Sequence, residues 1–237
     1  GNLKGKVLKS NFKLNFIYDE NSLNINNFFF RDKNLSFDSI GNIVIKPYFR
    51  INLNSEVNSL NPKIFKFFDA NSFLNSKDLV KRFNGTVNIT FKSNRFSRNL
   101  IDDLETKTQL NYGRLNISKI FFISESKISC ISNLNLLEKF PVIYFSCSID
   151  SPDKKKLLKK IEVSYKGKDE KLFLKTKGKL NILSNKINFE KIEINNYKAN
   201  KEDLKYYKNS FEKILFNESF SNIFELYKIK KFIEEIS

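Results

Sequence analysis

Apolar and polar residues alternate along most of the chain in short runs. Phe12–Tyr18, Ser22–Phe30, Leu35–Ile40 and Ile43–Leu53 form a first series. Thr86–Phe91, Leu104–Tyr112, Leu115–Ile123, Lys127–Asn133 and Val142–Ile149 form a second, and Ile161–Tyr165, Lys171–Leu183 and Lys186–Ile194 a third. A period of two sends successive side chains to opposite faces, so each run predicts a β-strand with one apolar face. Turn-forming residues separate the runs at Asp19-Glu20-Asn21, Gly41-Asn42, Asn84-Gly85, Tyr112-Gly113, Lys166-Gly167 and Ser184-Asn185. Strands this frequent, joined by turns this short, predict antiparallel meanders.

Helical spacing interrupts this pattern and then replaces it. Asn61-Pro62 and Ser151-Pro152 each place a capping residue before a proline, a start signal for short helices, and Ser76 is a third candidate cap. From Asn200 onward the apolar residues fall at Leu204, Tyr207, Phe211 and Ile214, then at Leu226, Ile229, Ile233 and Ile236. Each set follows a 3-4-3 spacing and so lies on one helical face. Asn200 with Asp203, and Ser221, are the expected N-caps. The predicted organisation is mainly β with C-terminal helices: a sheet region over 1–199, with helical insertions near 62–83 and 152–160, and a helical hairpin over 200–237.

Three eight-residue segments align without gaps: Leu23–Phe30, Leu115–Phe122 and Ile187–Ile194. Positions one, three, six and eight are apolar in every copy, and positions two, four and five are polar. A regular strand would hold one parity throughout, whereas here it switches between positions three and six. A bulge or bend at that point accounts for the switch. In the first two copies a proline-led strand follows, from Pro47 and from Pro141. The copies start 92 and 72 residues apart, which describes a meander with insertions more than a tight solenoid.

Composition narrows the chemistry. The 237 residues contain no His, Met or Trp, and 42 Lys and Arg stand against 26 Asp and Glu, a formal charge of +16. Without histidine there is no Ser-His-Asp or Cys-His catalytic pair and no His-bearing metal site. About thirty Asn, with abundant Lys, Ile and Phe, suggest an AT-rich genome, so part of the charge reflects codon usage. The 25 Phe and 9 Tyr exclude simple disorder. Asp102-Asp103 and Glu234-Glu235 are adjacent, which points the two carboxylates of each pair apart. No phosphate-binding glycine loop, nucleophile elbow or acidic calcium loop occurs. The expectation is no enzyme, no metal and no cofactor.

Cys130 and Cys147 are the only thiols. A turn centred between Glu138 and Lys139 sets them directly opposite each other in a hairpin. They form either a cross-strand disulfide or two free thiols in contact, and parity does not choose between these. Lys154, Lys155, Lys156, Lys159 and Lys160 make a dense cluster that would attract anionic headgroups. Only six basic residues are arginine, and no nucleic-acid motif occurs, so specific nucleic-acid reading is not expected. Wide apolar sheet faces with few covering helices must either close on each other or curl into a groove that binds an apolar ligand.

The strands around Tyr112-Gly113-Arg114-Leu115-Asn116-Ile117, the hairpin through Leu136–Cys147 and the terminal segment Ala199–Ser237 together resemble the AsmA-like group of Gram-negative envelope proteins, related to the TamB-like proteins. The resemblance implies a long, curved, taco-like sheet around an apolar groove. It also implies a periplasmic location and an N-terminal inner-membrane anchor. That anchor would lie upstream of Gly1, since this sequence has the character of a piece of a longer protein. The implied role is phospholipid transport between the inner and outer membranes, and outer-membrane homeostasis. Leu23, Ile25, Phe28, Leu115, Ile117, Ile120, Ile187, Phe189 and Ile192 are then the expected groove lining, with phospholipid acyl chains as ligand. Two alternatives stay open. One is an envelope module whose faces close on each other and which meets a protein partner at the C-terminal helices. The other is an electrostatic binder of nucleic acid or anionic surfaces.

Overall fold

A computed structural model describes residues 1–7, 9–61, 80–93, 100–168, 170–217 and 225–236. Among them, thirteen strands form one open, curved sheet in unbroken sequence order. They are β1 (Asn2–Val7), β2 (Ser10–Tyr18), β3 (Ser22–Arg31), β4 (Leu35–Val44), β5 (Arg50–Leu60), β6 (Asn84–Lys92) and β7 (Asp103–Asn111). The sheet continues with β8 (Arg114–Ile123), β9 (Ser126–Asn135), β10 (Val142–Ser151), β11 (Leu172–Asn181), β12 (Lys186–Ile194) and β13 (Tyr197–Lys198). Three helices accompany it: α1 (Lys154–Lys160), α2 (Lys201–Leu215) and α3 (Leu226–Ile236).

Local turn chemistry explains why the meander forms. Tyr112 and Gly113 both have positive φ (46° and 91°), as do Ser124 and Glu125 (46° and 69°). Two successive positive φ values twist a two-residue loop in the same sense as the strands, which favours tight hairpins. Asp19 closes the β2–β3 turn by accepting hydrogen bonds from the Asn21 and Ser22 amides at 2.8 and 2.7 Å.

The structure corrects several local expectations. β5 and β6 are parallel, so the meander is not antiparallel throughout. Parallel neighbours need a crossover; the helix start expected at Pro62 and the Ser76 cap fall in that connection, outside the described residues. Gly41-Asn42 is not a turn, because β4 runs through it; the chain reverses over 45–49, where the Lys46–Pro47 bond is cis, and β5 starts at Arg50. Gly85 is also inside a strand, where its missing side chain lets the Ile51 carbonyl of the parallel neighbour approach. Ile161–Tyr165 is not a strand; it follows α1 and buries Ile161 and Val163. The cap of α1 is Asp153, which accepts from the Lys156 amide, while buried Ser151 donates neither cap nor turn and instead bonds Ser126 through their hydroxyls at 2.7 Å. The Ser221 cap lies outside the described residues.

Strand register assembles a single apolar face. Directly paired residues project to the same side of a sheet, so one row can be followed through Thr106, Lys119, Cys130, Cys147, Thr176 and Ile192 on β7 to β12. The next row runs Ile117, Ser132, Phe145, Gly178 and Phe189, and the one beyond it Leu115, Leu134, Ile143, Leu180 and Ile187. The same face continues to the first strands through Val87 and Ile89, Ile51 and Leu53, Phe37, Ile25 and Phe28, and Leu14 and Phe16. The opposite face is mostly polar and carries cross-strand amide contacts, Asn52 to Asn42 at 3.2 Å and Asn88 to Asn54 at 2.7 Å.

Bulges hold this face together. In β3 the register slips by one residue between Ile25 and Phe28, and in β12 it slips opposite Lys177 and Gly178. One extra residue at each site restores the parity, so Leu23, Ile25, Phe28 and Phe30 share the apolar face, as do Ile187, Phe189, Ile192 and Ile194. β8 has no slip on either side. There the faces do swap: Leu115 and Ile117 join the apolar face, and Ile120 and Phe122 leave it. Gly178 is tied to the β12 bulge, because a Cβ there would meet the Asn188 carbonyl oxygen and lie 2.9 Å from Phe145 Cζ. Gly178→Ala is therefore expected to destabilise the protein by about 1–3 kcal/mol, the range for overpacking against unyielding backbone; an unchanged urea midpoint would contradict that.

Candidate functional site

The apolar face is roofed at its C-terminal end. Asn200 caps α2 by accepting from the Glu202 and Asp203 amides at 2.8 and 3.0 Å, and Asp203 returns a bond from the Asn200 amide. The Tyr197 hydroxyl also donates to Asp203, and these donors hold its carboxyl below the usual range. α2 is then fixed to the sheet by Glu212, whose carboxylate accepts from the Ile187 amide at 3.0 Å and from Lys186 Nζ at 3.1 Å. α3 folds back along α2. Tyr206 donates to the Glu235 carbonyl at 2.8 Å, and the Phe211 and Phe232 rings meet at 5.3 Å.

Beneath this hairpin lies a cavity of about 450 Å³. Its floor is the apolar face of β8 to β12, including Ile143, Phe145, Leu174, Leu180, Ile187, Phe189, Ile192 and Ile194. Its roof is Tyr207, Phe211 and Phe216 from α2 and its cap, and Phe232 and Ile236 from α3. Along the strand direction an apolar cluster flanks the cavity at each end. Leu157, Leu158, Ile161 and Val163 of α1 and the segment after it pack on Ile123 and Ile128 at one end, and Ile233 of α3 joins them. Val80, Leu136 and Ile182 pack on Leu134, with Leu110, Leu115 and Ile143 alongside, at the other. Volume and lining are those of a pocket for an apolar ligand, since such pockets run from roughly 300 to 1,000 Å³.

Cys130 and Cys147 form a disulfide in the cavity floor, with Cα atoms 4.1 Å apart. They face each other because the hairpin closes where the sequence expects, pairing residue 130 with residue 147.

The expected groove residues separate into four groups. Ile187, Phe189 and Ile192 line the cavity. Leu115 lies in the apolar cluster beside it, and Ile117 shares its face one strand from Ser132, which lines it. Leu23, Ile25 and Phe28 sit on the same apolar face at the far, N-terminal end of the sheet. Ile120 is the correction: unbulged β8 turns it to the opposite face. Lys119 takes the inward position in its place. Sequence reasoning also missed the floor residues Ile143, Phe145, Leu174, Leu180 and Ile194, and the aromatic roof, although the helical spacing had already set Tyr207 and Phe211 on one face.

Among the described residues Lys119 is the one charged side chain in the lining. The residue is exposed, yet partial loss of water around its ammonium pulls its pKa below the ordinary lysine value of 10.5. An amine whose pKa is lower folded than unfolded destabilises the fold while it is protonated. That penalty fades as pH rises between the two values. Lys119→Met should thus raise the melting temperature at neutral pH, with the gain shrinking as pH climbs towards 10.5; a lower melting temperature at neutral pH would contradict it.

The lysine cluster does not form an open cationic patch. Lys154 lies 3.4 Å from Glu170 and 4.4 Å from the Tyr165 ring centre, Lys156 lies 2.7 Å from Glu125, and Lys160 lies 3.7 Å from Asp102. The Glu125 carboxylate also holds the Lys156 pKa above its ordinary value. Lys155 is engaged as well, which leaves Lys159 exposed beside them. No helix among the described residues is long and apolar enough to cross a membrane. Neither a known protein family, nor a curated protein, nor a solved structure matches the chain.

Proposed function

We propose that this chain is a non-enzymatic lipid-handling protein of a bacterial envelope. On this account its apolar face shields acyl chains during phospholipid transport between the inner and outer membranes. The supporting observation is a mainly apolar face that runs across the sheet and deepens at one end into a cavity whose lining is almost wholly hydrocarbon and aromatic. The resemblance to AsmA-like proteins agrees with it. A face of this kind moves an acyl chain without chemistry: each methylene taken from water contributes about 0.8 kcal/mol. A chain then slides from strand to strand along the sheet while its headgroup stays in water. Attachment to the inner membrane, through an upstream segment, belongs to the same proposal.

The test is transfer of a fluorescent phospholipid between vesicles. Wild type should accelerate it. Thr176→Phe, which fills the cavity floor with a good strand former, should reduce the acceleration at least about fivefold, a loss of about 1 kcal/mol in binding. Ile131→Asp, on the polar face and 63% exposed, should leave it intact. Equal rates with and without protein would overturn the proposal and favour the protein-interaction alternative at the C-terminal helices.

A further inference from the structure

Position five of the repeated octamer faces away from the cavity in two copies, where it is Asn27 and Lys191, and Lys191 pairs with Glu193 at 2.6 Å. In the third copy the missing bulge turns position five inward, and it is Lys119. Its row neighbours are Thr106 on β7 and Cys130 on β9, neither of them charged. Among the described residues no carboxylate or hydrogen-bond acceptor pairs with its ammonium. It therefore stands as a lone cation at the flank of an apolar compartment, on β8, where the roof ends and the sheet continues to Thr106 and Thr108. A methionine or leucine here would complete the apolar lining, so the cation is the one feature of the lining that an acyl chain alone does not use.

We infer that the roofed compartment takes a single acyl chain whose anionic end group pairs with Lys119. The inference rests on the acyl-chain account above and adds the ligand's polarity and orientation. Two features carry it. The cavity volume, about 450 Å³, is on the scale of one long acyl chain, with an apolar cluster at each strand end. The lone cation sits at the open flank, where an end group meets water while the chain runs under α2 and α3. A carboxylate or a phosphate ester satisfies that cation; a neutral or cationic end group leaves it as it is. The shared chemistry is an anion at the end of one chain, as in a fatty acid or a lysophosphatidic acid.

The test is isothermal titration at pH 8 with palmitate, palmitoyl lysophosphatidic acid and hexadecanol, each below its aggregation limit, against the full chain. Wild type should bind at least one of the two anions about tenfold or more tighter than the alcohol, as a charge-assisted contact in a partly desolvated site provides. Whichever anion leads identifies the source, carboxylate or phosphate. Lys119→Met should bring the anion-to-alcohol ratio close to one, and Lys119→Arg should restore it. An unchanged ratio in Lys119→Met, or equal wild-type affinity for anion and alcohol, overturns the role of Lys119 while the acyl-chain account stands. Failure of all three ligands to bind wild type overturns both.

Discussion

Replacing Cys130 and Cys147 together with alanine is expected to lower stability by about 3 kcal/mol. The bond closes a loop with a sequence separation of 17, and a cross-link of that span removes about that much chain entropy from the unfolded state. For a chain of this size the melting temperature should fall by roughly 6–12 °C. The position adds to the effect. Both half-cystines sit in the cavity floor between Lys119 and Thr176, so their loss also widens the cavity that the floor defines. Thermal unfolding with and without reductant measures it: wild type should drop in reductant and the double variant should not. Identical midpoints in both conditions would show that the hairpin register alone holds the floor.

Phe211→Ala should have an effect of similar size, about 3 kcal/mol, through a different route. Its ring meets Phe189 of the floor at 5.8 Å, Phe216 at 5.3 Å and Phe232 of α3 at 5.3 Å, so one side chain joins sheet, helix and helix. Large aromatic truncations at such junctions cost about 3–5 kcal/mol when fully buried, and Phe211 is partly buried. The loss should concentrate in the roof. Hydrogen exchange should speed up across α2 and α3 while β8 to β11 stay protected. Tyr227→Ala, on α3 and 72% exposed, should stay within about 0.5 kcal/mol of wild type. Uniform loss of protection throughout the sheet would mean that the hairpin and the sheet unfold as one unit.

Much of the fold is legible in the residues. Strand alternation and turn chemistry give a mainly β chain with C-terminal helices, while the curvature of the sheet is implied only by the family resemblance. The symmetric turn at Glu138 and Lys139 fixes the register that joins Cys130 to Cys147. What the sequence hides is whatever depends on neighbouring strands. The parity switch in the octamer is visible, but whether a bulge corrects it is decided by the partners. β3 and β12 slip by one residue, and β8 does not, which is why Ile120 faces away and Lys119 inward. Gly41 and Gly85 look like turn residues because glycine marks turns; both instead sit where another strand's carbonyl comes too close for a side chain. The start signals between β5 and β6 mark an insertion, but not that the strands on either side of it pair in parallel. The helical spacing after Asn200 predicts an apolar stripe but not the surface it covers, and that surface turned out to be the end of the groove.

The compartment beneath α2 and α3 is expected to hold an acyl chain. Native mass spectrometry of the chain purified without detergent, followed by organic extraction, tests it most directly. The account predicts a population carrying one lipid-sized adduct, recovered as a single-chain or two-chain amphiphile and absent from Thr176→Phe. An apo mass that stays unchanged after incubation with phospholipid vesicles and with palmitate would contradict it.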